Sequence, residues 1–310
     1  MNARFDVVAL GEAMIEFNEA RSPDPHAWLQ GFGGDTSNAA IAAARLGARS
    51  AYVTRVGDDA FGRRLLALWM DERVSTEGVA IDESAPTGVY FVSHGANGHE
   101  FSYLRTGSAA SRMHPESLPL GVLRATRVLH LSAISQAISA SACDACFAAI
   151  DEVRSGGARI AYDTNLRLKL WPLARAKAII FETLRRADWA LPGLDDARHL
   201  FGDDDPQRIV DACHALGPSI VVLKLGRDGC LVSDGARRAR VAGLPVASVD
   251  ATGAGDCFDG AFAARMTAGD DAFAAARYAN AAAALATTGY GAVAPLPRHA
   301  DVERALAAQA

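Results

Sequence analysis

The stretch Val249–Gly260, VDATGAGDCFDG, ends a β-like run and opens an alanine-rich segment of helical character. A strand that passes through small residues into a helix is the basic joint of an α/β fold. Here the joint is Gly253, Ala254 and Gly255, followed at once by Asp256. The first turn of a helix leaves backbone N–H groups unpaired, and glycines let an anion approach them closely. An acid at that point repels an anion, unless it takes up a proton as the anion is transferred. GAGD therefore reads as an anion hole with a general base beside it. A merely capped helix is the alternative from this stretch alone.

The same joint recurs along the chain. Apolar runs of strand length at 5–10, 51–56, 128–131, 159–162, 189–191 and 220–225 alternate with helical segments at 38–46, 61–72, 140–154, 174–186 and 207–216. Short strands follow near 230–233 and 239–241, and helices at 254–267 and 272–286 close the core. This alternation predicts an α/β fold with a mostly parallel central sheet and helices on both faces. Ligands of such sheets lie beyond the carboxyl ends of the strands. Without repeats or a low-complexity linker, residues 1–310 read as one domain. Thr36 and Ser37 are expected to cap the helix at 38–46.

Composition narrows the function. The chain has 310 residues, half of them hydrophobic, and a net charge of −5 with no basic block. That argues against nucleic acid and acidic membranes as partners. No apolar run is long enough to span a bilayer, and the N-terminal MNARFDVVALGEAM reads as a first strand rather than a signal peptide. The expectation is a soluble cytoplasmic protein. Five cysteines, an odd number, point to reduced thiols. Cys143 and Cys146 form a CxxC, but inside a helical pattern without a second pair, so they read as buried helix cysteines.

Thr87–Arg105, TGVYFVSHGANGHEFSYLR, breaks the rhythm as two strands joined by Gly95–Gly98. That loop pairs His94 with His99 and sets Tyr90 opposite Tyr103. Period two then puts Tyr90, Val92, Phe101, Tyr103 and Arg105 on one face. The face suits a cover over a polar ligand; packing on the core or on a second subunit of a homo-oligomer is the alternative. No GxxxxGK[ST] is present, which excludes a P-loop, and no early strand leads into GxGxxG. A second glycine-rich stretch, Gln30–Ala40, instead sets Asp35 and Asn38 at a helix start, where both suit sugar hydroxyls; an N-capped helix after a tight turn is the alternative from this stretch alone.

Taken together, GGDTSNAAIAAARLGA and DATGAGDCFDGAF, with YVTRVGDDAFG and VVLKLGRDG between them, resemble the ribokinase-like, or PfkB, carbohydrate kinases over nearly the whole chain. The resemblance implies a helix-flanked sheet with a small β lid from 11–17 and 87–105. It also implies Asp256 as catalytic base, and Gly253, Ala254 and Gly255 as its anion hole. Within that family GEAMIEF, FSYLRTGSAAS, HLSAIS and YDTNLRLKLW look like 2-keto-3-deoxygluconate kinases. That likeness assigns Gly34, Asp35, Thr36, Ser37, Asn38, Tyr90, Tyr103, Leu104, Arg105 and Arg167 to the substrate. It assigns Asn165, Leu166 and Arg167 to the nucleotide, with the turn Lys224, Leu225, Gly226, Arg227, Asp228 and Gly229, the anion hole, and Asn280. ATP with Mg2+ is the implied cofactor, and Arg105 is the implied partner of an acid substrate's carboxylate. Rivals are a fructokinase, ribokinase or nucleoside kinase, and a non-catalytic sugar-acid sensor. The chain departs from the family pattern where NxxE is common, since Gly193–Asp196 reads GLDD; Asp196 could organise Mg2+ through water. Ala251 replaces a commoner polar residue, which leaves a monovalent cation open. Tyr290 stands where some relatives carry an acid.

Overall fold

The computed structural model describes residues 3–20, 24, 26–95 and 98–308. In chain order the strands are β1 (Phe5–Leu10), β2 (Met14–Glu19), β3 (Trp28–Gly33), β4 (Ser50–Gly57), β5 (Ser75–Asp82), β6 (Val89–Gly95), β7 (Gly98–Leu104), β8 (Thr126–Ser132), β9 (Arg159–Asp163), β10 (Trp189–Ala190), β11 (Ile220–Lys224), β12 (Cys230–Ser233) and β13 (Arg238–Val241). The helices are α1 (Asp35–Arg45), α2 (Ala60–Asp71), α3 (Leu120–Leu123), α4 (Ala133–Ala137), α5 (Ala140–Ser155), α6 (Leu173–Leu184), α7 (Leu194–Phe201), α8 (Pro206–Leu216), α9 (Ala254–Ala268), α10 (Ala272–Ala286) and α11 (His299–Ala307).

Nine strands form one sheet, ordered β13-β12-β11-β10-β9-β8-β1-β4-β5. It is parallel from β5 to β11; at the edge β12 pairs antiparallel with β11, and β13 pairs antiparallel with β12. Strand β1 is apolar on both faces because both are covered. Val7 and Ala9 join the core shared with α1, α9 and α10, and Val8 and Leu10 join the core shared with α5 and α6. Short alanine side chains on α1, α9 and α10 let these helices pack closely over the sheet. Cys143 and Cys146 are buried on α5 as free thiols, and burial pushes the Cys143 pKa up to about 11. They belong to the core.

A second sheet, β3-β2-β6-β7, stands apart from the first. Its hairpin pairs Tyr90 with Tyr103 and His94 with His99, the expected register. The ladder runs on to Gly95 and Gly98, so the turn is shorter than four residues. The register survives because a shorter turn about the same centre aligns the same pairs. Ala96 and Asn97 lie outside the described residues.

Two expectations need correction. Strand β3 also joins the lid, and it uses residues that read as a glycine-rich loop. Helix α1 begins at Asp35 with Gly34 as its cap, three residues earlier than read. Gly34 sits at φ +118°, and a Cβ there would fall 2.4 Å from the Glu12 carbonyl oxygen, so only glycine fits the joint. Thr36 and Ser37 thus lie inside the helix and face the core. The Thr36 hydroxyl is 3.0 Å from that of Tyr52, and the Trp69 indole N–H donates to Ser37 Oγ at 2.9 Å. Among the described residues no helix is long and apolar enough to cross a membrane.

Candidate active site

A cleft of about 1260 Å3 opens at the carboxyl ends of β1, β8, β9 and β11, between the first turns of α1 and α9. Gly253 caps α9 at φ +76°, a left-handed turn that glycine adopts freely. Gly253, Gly255 and Asp256 line the cleft. The two glycine-rich stretches meet here, since Asn38 Nδ2 donates to Asp256 Oδ2 at 2.8 Å. Burial and the nearby Asp35 carboxylate push the Asp256 pKa up to about 7, against the Asn38 hydrogen bond and the Lys224 charge. A carboxyl poised there can exchange a proton near neutral pH.

Around Asp256 the walls are acidic and hydrogen-bonded to one another. Asp35 Oδ2 accepts from Ser132 Oγ and from Asn165 Nδ2, the latter at 2.8 Å. Burial raises the Asp35 pKa. Lys224 Nζ lies 3.0 Å from Asp163 Oδ2 and 2.9 and 3.0 Å from the two Asp259 oxygens. Burial would raise both acids, but the Lys224 charge holds Asp163 below its ordinary value while Asp259 stays above its own. Over the cleft stand Tyr90 and Tyr103, their rings stacked with centroids 5.6 Å apart. The Tyr90 hydroxyl donates to Glu16.

Arg105 lines the cleft, and its anion comes from the chain itself: Nη2 pairs with Glu12 Oε2, both side chains nearly dry. Ser108 donates to the other Glu12 oxygen at 2.7 Å. Arg167 also lines the cleft and donates to the carbonyl of Leu166.

Of the residues expected in the site, Gly34, Asp35, Asn38, Tyr90, Tyr103, Arg105, Asn165, Arg167, Lys224, Leu225, Gly226 and Asp228 reach the cleft together with the α9 turn. Several do not. Thr36 and Ser37 are in the core, and Leu104 points outward at 67 % exposure. Leu166 is buried, though its N–H donates to Asp196 Oδ2 at 3.0 Å. Ala254, Arg227, Gly229 and Tyr290 do not line the cleft. Asn280 donates to the Ala242 carbonyl and lines a separate, smaller cavity with Arg240 and Arg277. Residues that the reading passed over are Glu12, Ser132, Asp163 and Asp259. Their signal was faint but present: Glu12, Ser132 and Asp163 stand at or just past strand ends, and Asp259 follows Asp256 by one helical turn.

The pfkB family carbohydrate kinase pattern matches residues 4–299. The chain belongs to this family. The kinase is 36% identical over 311 residues to the 2-dehydro-3-deoxygluconokinase of Thermoproteus tenax, covering 96% of this chain and 94% of that one. To fructokinase-2 of Zea mays it is 33% identical over 315 residues, covering 97% and 94%. Among solved structures, the fructokinase of Vibrio cholerae O395, in its fructose, ADP and calcium ion bound form, is 28% identical with a TM-score of 0.86, covering 97% of this kinase and 98% of that chain.

Proposed function

We propose that this kinase transfers the γ-phosphoryl group of ATP to the C6 hydroxyl of 2-keto-3-deoxygluconate. The observation that carries the reading is Asp256, poised near pKa 7 beside the bare N–H groups of α9 in a cleft that also holds Arg105 and Arg167. Asp256 takes the hydroxyl proton as the oxygen attacks the γ-phosphorus in line, and ADP leaves. The α9 N–H groups and helix dipole stabilise the charge on the transferring group. Asp35 and Asn38 orient the sugar, and Asn38 holds the Asp256 carboxylate toward it. The lid tyrosines exclude water, which competes as acceptor.

Among the described residues no three His, Cys, Asp or Glu side chains are grouped to hold a metal ion. That suits Mg2+, which keeps several waters and binds through few carboxylates plus substrate phosphates. Asp196 in the cleft fits that role, and Mg2+ would neutralise phosphate charge there. The setting is the cytoplasm, where thiols such as the five here stay reduced.

One observation favours a neutral sugar such as fructose instead: Glu12 already answers the Arg105 charge. A coupled ADP-release assay across keto-deoxy acids, fructose and ribose decides. For the acid, kcat/KM should exceed that for fructose by about tenfold or more, the worth of one charge-assisted bond. It should also rise with pH through about 7 as Asp256 loses its proton. Equal or greater use of fructose sinks the acid reading. No ADP release with any sugar would leave a sensor.

A further inference from the structure

We infer that Asp163, Lys224 and Asp259 form a buried clamp that fixes a positive charge beneath the first turn of α9, with Asp259 as a positioning residue for phosphoryl transfer. The inference rests on Asp256 acting as the base. The three side chains are 7 %, 13 % and 1 % exposed, in that order; Asp163 and Lys224 form part of the cleft wall, and Asp259 lies behind it. An ammonium has three protons, and here three carboxylate oxygens stand within 3.0 Å of it. Both acids thus compete with any nucleotide oxygen for its protons. Lys224 therefore acts through its place and its charge, rather than by the direct nucleotide contact that family resemblance implies.

Its place is informative. A Cβ built on Gly255 would lie 3.7 Å from Lys224 Nζ, so the cation sits against the turn that carries the anion hole. Asp163 ends β9, Lys224 ends β11, and Asp259 follows Asp256 by one turn of α9. The clamp thus pins the start of α9 to two strands of the sheet, and with it the direction of the Asp256 carboxylate. Breaking a buried pair leaves an uncompensated charge, so such a clamp is held firmly once formed. The charged and titratable groups facing Asp256 are Asp35 from α1, Asp163 from β9, Lys224 from β11, Tyr90 from β6 and Cys257 on its own helix. Of these, Lys224 is the positive one, and Arg105 and Arg167 stand farther along the same cleft wall.

The test is steady-state kinetics from pH 5.5 to 9 on Asp259→Leu, Asp259→Asn and Lys224→Met, with melting curves and ADP calorimetry to establish folding. Asp259→Leu should lower kcat about tenfold or more while KM for ATP stays within about threefold, the signature of lost positioning. Asp259→Asn keeps an acceptor for the ammonium and should recover most of the loss. Lys224→Met should move the acidic limb of kcat/KM upward by about one unit, because the cation favouring the Asp256 anion is gone. A rise in KM for ATP with an unmoved limb in Lys224→Met makes Lys224 a nucleotide ligand and overturns the clamp. So does a folded, ADP-binding Asp259→Leu with wild-type kcat. If Asp259→Leu does not fold, an unmoved acidic limb in a folded, ADP-binding Lys224→Met overturns the clamp on its own. Asp256→Asn serves as the control: near-normal turnover there removes the base itself rather than the clamp.

Discussion

Arg105 shows how far a single residue can be read from sequence and where the reading stops. Its place beside Tyr103 on the inward lid face follows from strand period two, and the structure puts it in the cleft. A desolvated arginine needs an anion, and a substrate carboxylate was the expected one. The chain supplies Glu12 instead, from the end of β1, a partner 93 residues away that no local pattern announces. Glu12 itself is nearly dry, and burial raises its pKa. If the substrate is an acid, its carboxylate shares Arg105 with Glu12. Glu12→Gln should then lower KM for the keto acid and leave KM for fructose in place, while Arg105→Ala should raise the acid's KM about tenfold or more with little change for ATP. Steady-state titration of both variants checks this. A change in KM for ATP alone would assign Arg105 to the nucleotide side. The same limit hid Asp163 and Asp259: their neighbours come from other elements, so only the fold brings them together.

At the scale of elements, the hairpin makes the sharpest test. Tyr90 and Tyr103 are cross-strand partners with stacked rings, Tyr90 buried and Tyr103 at 42 % exposure. Should they cover the sugar, Tyr90→Ala and Tyr103→Ala should each weaken sugar binding, and the double variant should lose less than the sum, since stacked neighbours share one surface. Sedimentation alongside substrate titration distinguishes this from a subunit contact. Unchanged affinity with a dissociated oligomer would remove the lid role. The hairpin was legible because alternation survives in both strands. Strand β3 was not, because Gly31 and Gly33 in WLQGFG interrupt its alternation and resemble a loop. One glycine there has a packing reason: a Cβ on Gly33 would fall 2.4 Å from the Tyr90 hydroxyl. Strand β5, STEGVAID, carries polar and small residues at a sheet edge and gave no apolar run. Helix α7 is only eight residues long and was not read as an element. The central parallel strands, apolar on both faces, were the most readable.

For the whole molecule, the cleft's acidity sets how stability responds to pH. Two groups of carboxyls pull in opposite directions. Asp82, hydrogen-bonded to Ser84 and paired with Arg55, is held down to about 2. A lowered pKa contributes stability above the ordinary carboxyl range, and that stability is lost as pH falls toward 2. Asp256 is raised to about 7 by burial and by Asp35. A raised pKa contributes stability below the ordinary carboxyl range, and that stability is lost as pH rises through about 7. Asp35, Glu12 and Asp196 are raised by burial and act in the same sense. The ligand-free kinase should therefore melt highest at mildly acidic pH and lose stability toward pH 8, although the role proposed for Asp256 needs its anion. An asparagine at 256 cannot ionise, so it removes part of that loss. Thermal melts of wild type and Asp256→Asn at pH 5 and pH 8 decide the matter. At pH 8 the variant should melt higher by about 2–4 °C, the shift that roughly 1 kcal/mol gives in a large domain. At pH 5, where the folded wild-type carboxyl is protonated and the cost comes only from ionisation in the unfolded chain, the gap should be clearly smaller. A gap of the same size at both pH values would mean that Asp256 is ionised throughout this range, and that the cleft does not hold its base near neutrality.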